Sequence, residues 1–339
     1  MTAAAGSTPL GAGRSARSVT DILRRGLDSS IANWPVLALR LAETVLVAML
    51  MGLTVVMVVV PLAISIGLSA AGLQEIVQSS ETPAEVLTAL VAAHWLILIY
   101  ILVAVSVALL VAICVHSFVM AASARTFVDA ERAAGAAATP RQRFAVFTFE
   151  RWMAGGGQAW WPVFWIYNIA YGVAGIVILL PLLPIALLIL VLQQAAAAIV
   201  LGCLALVLVV LLTIVVLIVT NIVCQKAIVL AAQTPIDGTT ALRLGWRAMR
   251  ADFVRHFAVA FIMMVLLFGG TGVLTMASVG FAAPAMTHSH AALMFMPLRL
   301  LMSFASSVFS AFVGNWFLAS FAAIPVDAER GEASLEPLR

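Results

Sequence analysis

One short stretch decides how the chain is organised: Thr239-Thr240-Ala241-Leu242-Arg243-Leu244-Gly245-Trp246-Arg247-Ala248-Met249-Arg250. Its large apolar residues, Leu242, Trp246 and Met249, recur at steps of four and three, which places them on one face of an α-helix. The flank of that face is basic and carries Arg243, Arg247 and Arg250. The pattern predicts a helix that lies flat on a membrane surface, and the apolar run that begins after residue 257 predicts that the chain then turns into the membrane.

The composition assigns the chain to the polytopic membrane proteins. Apolar residues make up 64% of its 339 residues and charged residues only 10%, and the mean hydropathy is +1.13. Water-soluble domains do not approach this balance. Cys114, Cys203 and Cys224 fall inside apolar runs, with no disulfide or metal spacing among them. We therefore expect no cofactor, and we expect no nucleic acid as a partner.

The apolar runs predict six transmembrane helices, because each run is long enough for a hydrocarbon core of about 30 Å. The run at 161–232 could hold two spans or three. Two spans keep all the basic segments on one side of the membrane, as the positive-inside bias requires. The spans are expected at about 36–68, 86–119, 161–192, 195–232, 258–281 and 297–324.

This count places both ends of the chain in the cytoplasm. Residues 1–17 are expected to form a disordered cytoplasmic tail without a signal peptide. Residues 18–324 are expected to form a single membrane domain, and residues 325–339 a second cytoplasmic tail.

Two further segments have the form of the basic helix at 239–257. The first, at 19–33, places Leu23, Leu27 and Trp34 on one stripe with basic residues beside it. The second is expected at 141–153, where the glycines 155–157 end it. Each flat helix precedes a pair of spans.

The ends of these pairs also match. The string Val-Asp-Ala-Glu-Arg follows the second span at 128–132 and the sixth at 326–330. The predicted fold class is therefore all-α: six transmembrane helices arranged as three hairpins, each preceded by an amphipathic interfacial helix, in a pseudo-threefold repeat. The repeat units are about 18–132, 140–238 and 239–330.

The segments Ile22-Leu23-Arg24-Arg25 and Ala241-Leu242-Arg243-Leu244-Gly245-Trp246-Arg247 resemble a known family. It is the membrane domain found with some bacterial glycerophosphoryl diester phosphodiesterases and in related six-span bacterial proteins. The resemblance covers about residues 18–330 and implies this fold in a bacterial cytoplasmic (inner) membrane. Members with phosphodiesterase activity carry a separate soluble barrel domain, for which this chain has no room outside its spans, so the resemblance implies no hydrolase activity.

Ionisable residues within the spans are costly in hydrocarbon and are therefore informative. Arg40 and Glu43 lie three residues apart, so we expect an intrahelical pair, with an ion pathway as the alternative. Lys226 is expected to extend to lipid phosphates at the inner boundary. His94 and His116 lie too far apart on the second span to share a metal and are expected to be packed or interfacial residues.

Five further polar residues have two interpretations. They form hydrogen bonds between packed helices, or they line one substrate cavity. They are Asn168, Tyr171, Asn221, Gln225 and Asn315.

The flat helices also have two interpretations. They anchor the bundle in anionic lipid headgroups, or they form a cytoplasmic surface that binds a partner protein, a second copy of the chain or lipid headgroups. The residues of this candidate surface are Arg24, Arg25, Arg151, Arg243, Arg247, Arg250, Trp34, Trp161 and Trp246.

The sequence contains no glycine-rich nucleotide loop, no nucleophile with a matching base and no paired carboxylates in its spans. We therefore predict a non-enzymatic membrane protein that scaffolds, assembles or regulates a partner protein or lipid at the cytoplasmic face. That function predicts a bundle packed shut. The alternative, a transporter or channel for a lipid-like or small apolar solute, predicts that the five polar residues meet in one cavity.

Overall fold

The structure is a computed structural model that describes residues 17–68, 83–135, 140–191, 196–282 and 289–324. The predictions for the two tails beyond these ranges and for the second Val-Asp-Ala-Glu-Arg string fall outside the described residues.

The chain is helical throughout its described length, apart from short connections. Six of its helices are long and apolar enough to cross a membrane. The prediction of six spans is confirmed, and the run at 161–232 holds two of them. The helices are α1 (Val19–Ala32), α2 (Trp34–Leu68), α3 (Pro83–Ala134), α4 (Phe149–Val191), α5 (Ala196–Gln233), α6 (Gly238–Ala251), α7 (Phe253–Ala282) and α8 (Ser289–Ala323).

The two short helices, α1 and α6, begin at capping residues. Ser18 Oγ accepts a hydrogen bond from the Asp21 amide at 3.1 Å. Asp237 accepts one from the Thr239 hydroxyl and one from the Thr240 amide, the latter at 3.1 Å. Such caps satisfy amides that a helix start otherwise leaves without a partner. The same hydrogen bonds, that of the Thr239 hydroxyl first, hold the pKa of Asp237 well below its usual range.

The helix predicted at 19–33 is therefore present as α1. The helix predicted at 239–257 is divided in two, because the chain turns at Asp252 and the span α7 begins at Phe253. The turn into the membrane thus comes five residues earlier than the predicted hinge.

The prediction of a second flat helix at 141–153 is wrong. Arg141–Phe144 form one 3-10 turn, and α4 begins at Phe149 and continues through the three glycines. The Asn33 side chain holds the intervening segment: its Oδ1 accepts the amides of Val146 and Phe147 at 3.1 and 3.0 Å. These bonds tie the segment before α4 to the end of α1.

The three glycines at 155–157 do not end a helix, and two of them, Gly155 and Gly156, allow close packing. A Cβ atom at Gly155 would lie 2.8 Å from Arg125 Cγ, and one at Gly156 would lie 2.6 Å from the Phe118 ring. Both neighbours belong to α3, so the small residues let α3 and α4 approach each other.

The bundle has three inner and three outer spans. The inner helices α3, α5 and α8 contact one another. Each outer helix packs between two inner ones: α2 on α3 and α8, α4 on α3 and α5, and α7 on α5 and α8. Of the short helices, α1 lies against α8 and α6 lies against α5. The buried core lies at the end of the bundle that carries α1 and α6.

Small residues attach α1 and α6 to the bundle. A Cβ atom at Gly26 would lie 2.7 Å from the Ser320 backbone nitrogen, and one at Gly245 would lie 3.1 Å from that of Ala227. Of the large apolar side chains of the predicted stripes, Trp34 and Trp246 are exposed, whereas Met249 is buried in the core. The two tryptophans remain available for contact with lipid.

The prediction that Lys226 extends to lipid phosphates is wrong. Lys226 is only 1% exposed, and its Nζ donates to the carbonyl oxygens of Ile324 at 3.0 Å and Phe321 at 3.5 Å. A helix leaves its last carbonyls without partners, and a cation there is favourable. Because α5 is an inner helix, its lysine points to the end of α8 and away from lipid.

Cations also lie at the ends of the other two inner helices. Arg125 of α3 donates to the carbonyl of Ala232 near the end of α5 at 2.9 Å. Arg25 of α1 donates to the carbonyl of Gly135, just after α3, at 2.6 Å. Glu131, in the first Val-Asp-Ala-Glu-Arg string, pairs with Arg25 at 2.8 Å. The string therefore fixes α1 to the end of α3.

Candidate functional site

The main candidate site is a groove between the spans α2, α3 and α4. The outer helices α2 and α4 both pack on α3, but within the described residues they do not contact each other. The space between them has a volume of about 780 Å³, which is within the range of small-molecule sites. Its lining residues are Glu43, Thr44, Val47, Leu109, Ala112, Ile113, His116, Tyr167, Asn168, Tyr171 and Gly172.

A carboxylate and an imidazole form the polar centre of this groove. Glu43 Oε1 lies 2.6 Å from His116 Nδ1, and the two side chains are 8% and 41% exposed respectively. Glu43 is nine residues from the start of α2, or about 14 Å along the helix. An ionised carboxylate in a membrane span needs such a partner, because hydrocarbon offers none.

The prediction that Arg40 pairs with Glu43 is wrong. Arg40 Nη1 donates to Asn315 Oδ1 at 3.1 Å, and its Nη2 lies 3.0 Å from Met120 Sδ. Residues three apart on a helix differ by about 60° in direction. Since α2 lies between α8 and α3, Arg40 reaches Asn315 on α8 while Glu43 reaches His116 on α3.

Aromatic rings form one wall of the groove. The Tyr167 ring centroid lies 5.1 Å from that of His116, and the Tyr171 ring stacks on Tyr167 at 6.0 Å. Neither tyrosine hydroxyl has a hydrogen-bond partner among the described residues, and neither does His116 Nε2. The groove therefore presents three unpartnered polar atoms beside aliphatic side chains from α2 and α3.

The five predicted cavity residues do not all meet. Asn168 and Tyr171 line the groove. Asn315 is buried and binds Arg40 behind it. Asn221 and Gln225 lie away from the groove on α5, where they bond to each other at 3.4 Å. Two of the five thus reach the site, one supports it, and two bond to each other within one helix.

Sequence reasoning missed Glu43, His116 and Tyr167 as members of one site. Glu43 and His116 are 73 residues apart, and only the packing of α2 on α3 brings them together. Because ionisable residues are costly in a membrane span, Glu43 and His116 were each candidates for a functional role. What the sequence lacked was the order of the helices around α3.

The candidate surface residues are exposed with one exception. Arg25 is only 9% exposed and is bound to Glu131 and Gly135, so its place on the surface is a wrong prediction. Trp34, the most exposed of the tryptophans, has 66% of its surface accessible. The exposed set is Arg24, Arg151, Arg243, Arg247, Arg250, Trp34, Trp161 and Trp246.

Across the described part of the chain, no three His, Cys, Asp or Glu side chains are close enough together to hold a metal ion. The groove can therefore offer hydrogen bonds, the Glu43–His116 pair, aromatic faces and apolar contacts to a ligand. Comparison with known proteins adds no family: no family model, no curated protein and no solved structure matches this chain.

Proposed function

We propose that this protein binds a lipid-like amphiphile in the groove between α2, α3 and α4, and that it transports or presents this molecule. The observation that carries the proposal is the Glu43–His116 pair at the base of a groove otherwise lined by aromatic and aliphatic side chains. Such a lining suits a molecule with one polar end and one apolar end.

The position of the groove supports a ligand that arrives from the bilayer. Its walls are two outer helices, and Leu109, Tyr171 and Gly172 in its lining are exposed. A molecule dissolved in the membrane can therefore enter sideways, without passage through the closely packed core of α3, α5 and α8.

The cost of Glu43 in a span also favours a binding function. A charged residue at the centre of a membrane helix costs roughly 3 kcal/mol by insertion measurements, and Glu43 lies within the span, nine residues from its start and short of its centre. Packing alone does not require a carboxylate at this position, because α2 and α3 could meet through apolar residues. Such residues within membrane spans most often serve a ligand or a pathway.

A second candidate function is the scaffolding of a partner protein or lipid at the cytoplasmic face. The observation that favours it is the exposed basic and aromatic surface formed by Arg24 of α1, Trp34 at the start of α2, and Arg243, Trp246 and Arg247 of α6. Arginines beside interfacial tryptophans attract anionic headgroups at about 1 kcal/mol each. Reversal of charge at Arg243 and Arg247 would then release a stoichiometric partner or anionic lipid from the purified protein.

We also propose the membrane, the orientation and the internal repeat of the protein. We place the protein in a bacterial inner membrane with both ends in the cytoplasm, because its basic residues collect at the end that carries α1 and α6. We also infer a pseudo-threefold repeat of three hairpins. The cyclic contacts of the outer helices with the inner ones support this repeat.

Native mass spectrometry of the protein in mild detergent tests the groove proposal. Gly172→Trp fills the groove, and a Cβ atom at Gly172 meets nothing within 4 Å, so the helix tolerates the change. Gly269→Trp on α7 is the matched control, since its position is equally open and lies outside the groove. We expect one bound lipid per chain in the native protein and the control, and none in Gly172→Trp. Equal occupancy in all three would refute the proposal.

A further inference from the structure

We infer that the groove selects amphiphiles with an acidic headgroup, a carboxylate or a phosphate, which His116 contacts directly and Glu43 positions through His116. The inference rests on the proposed function, since it names the chemistry of the ligand in the same groove. Its basis is the arrangement of four groups: Glu43, His116, Tyr167 and Tyr171.

The ionisable group that a ligand meets in the groove is the imidazole of His116. The Glu43 carboxylate is 8% exposed and is covered by the imidazole, which is 41% exposed. A cationic headgroup therefore finds no accessible carboxylate among the described residues of the groove. A ligand that enters from the bilayer meets the imidazole of His116.

One nitrogen of the His116 imidazole carries the hydrogen that is shared with Glu43. A carboxylate can only accept a hydrogen bond, so Nδ1 of His116 carries the hydrogen shared with Glu43 at 2.6 Å. The other nitrogen, Nε2, has no partner among the described residues, and His116 lines the groove. An orienting carboxylate behind an imidazole fixes the tautomer and the orientation of the ring.

A bound acid and His116 can reach one protonation state by two routes. A neutral acid transfers its proton to Nε2, so that its O–H bond breaks and an N–H bond forms. If the imidazole is already protonated, Nε2 donates to the anion of the acid. Both routes give the same state, an imidazolium between the Glu43 carboxylate and the anionic headgroup. Arg40 lies one turn before Glu43 on α2. The two positive charges, on Arg40 and His116, then balance the two negative charges, on Glu43 and the headgroup.

The aromatic wall of the groove supplies hydrogen-bond donors. The hydroxyls of Tyr167 and Tyr171 have no partner among the described residues, and both side chains line the groove. Two phenol donors and one imidazolium donor suit a headgroup that accepts several hydrogen bonds. Carboxylates and phosphates accept more of them than an alcohol does, and an ammonium accepts none.

Binding of three matched single-chain probes in detergent tests the headgroup: hexadecanoic acid, hexadecan-1-ol and hexadecyltrimethylammonium. We expect the native protein to bind the acid at least about tenfold more tightly than the alcohol, and the cation more weakly than either. Hexadecyl phosphate and free inorganic phosphate separate a lipid headgroup from a free anion. The former is expected to compete with the acid and the latter to have no effect.

In His116→Gln, the affinity for the acid is expected to fall to that for the alcohol. The affinity for the alcohol is expected to stay within about twofold of the native value. Glu43→Gln retains an acceptor for Nδ1, and its test of positioning is the ratio of acid to alcohol affinity, which we expect to fall. A loss of structure alone would weaken all three probes together.

The outcomes separate the two proposals. If acid and alcohol bind the native protein equally, the acidic headgroup is wrong and groove binding stands. If His116→Gln retains the preference for the acid, the contact of the headgroup with His116 is wrong. If no probe binds the native protein, the proposed function itself fails. The comparison of probes on the native protein decides the matter even where a variant does not fold.

Discussion

His116 Nδ1 lies 2.6 Å from Glu43 Oε1, and this contact joins an outer span to an inner one within the apolar part of the bundle. The helices α2 and α4 both pack on α3 without contact with each other among the described residues, and the groove lies beside this contact. The same two residues thus hold two helices together and make the polar end of a candidate binding site.

The coupling of Glu43 and His116 can be measured with a double-mutant cycle. Glu43→Gln, His116→Gln and the double variant are compared by unfolding in one detergent. We expect a coupling free energy of about 1 kcal/mol, reduced from the value for a fully buried pair because His116 is partly exposed. Additive effects of the two substitutions would show that the contact contributes nothing to stability.

Lys226→Met tests the capping of α8. The variant leaves the carbonyls of Phe321 and Ile324 without their buried donor, so we expect a loss of about 1–3 kcal/mol in the free energy of unfolding. Arg243→Met is the matched control, since it removes an exposed cation from α6 and is expected to change stability by at most about 0.5 kcal/mol. Equal effects of the two variants would contradict the role of Lys226.

The N-cap of α6 predicts a specific dependence on pH. The pKa of Asp237 is lower in the folded chain than in the unfolded chain, where it is about 3.9. Its stabilising effect is therefore complete above about pH 4 and is lost as the pH falls through the folded value. Asp237→Asn, which also caps helices, is expected to remove this dependence, and Asp237→Ala to cost about 1 kcal/mol at neutral pH. Identical acid unfolding of the native protein and Asp237→Asn would be the opposite result.

Orientation in the membrane can be tested with single cysteines in a chain whose native cysteines are replaced by alanine. A membrane-impermeant maleimide is expected to label Ser79→Cys in intact cells and Thr239→Cys only after lysis. The reason is the excess of Lys and Arg at the end of the bundle that carries α6. The reverse labelling pattern would invert the proposed topology.

The number of spans could be predicted from the sequence because it depends on local properties, apolar length and the side on which charge collects. The helix α1 could also be predicted, since Ser18 and the apolar period act within a few residues. The second flat helix could not. Its segment is set by Asn33, which lies more than 100 residues away and accepts the amides of Val146 and Phe147.

The site was predictable only in part, for the same physical reason. A cavity is one of the two interpretations of Asn168 and Tyr171 from the sequence, and both line the groove. Arg40 and Glu43 were expected to pair because they are neighbours on one helix. Their partners are instead Asn315 and His116 on α8 and α3, and the sequence does not reveal which helices flank α2.

Photo-cross-linking tests groove binding most directly. A single-chain lipid with a diazirine in its chain is added to the protein in bilayers, irradiated, and the modified peptides are mapped. Binding in the groove predicts adducts concentrated on residues 43–47 of α2, 109–116 of α3 and 167–172 of α4, and their loss in Gly172→Trp. Adducts spread evenly over the exposed faces of all six spans, unchanged in that variant, would contradict it.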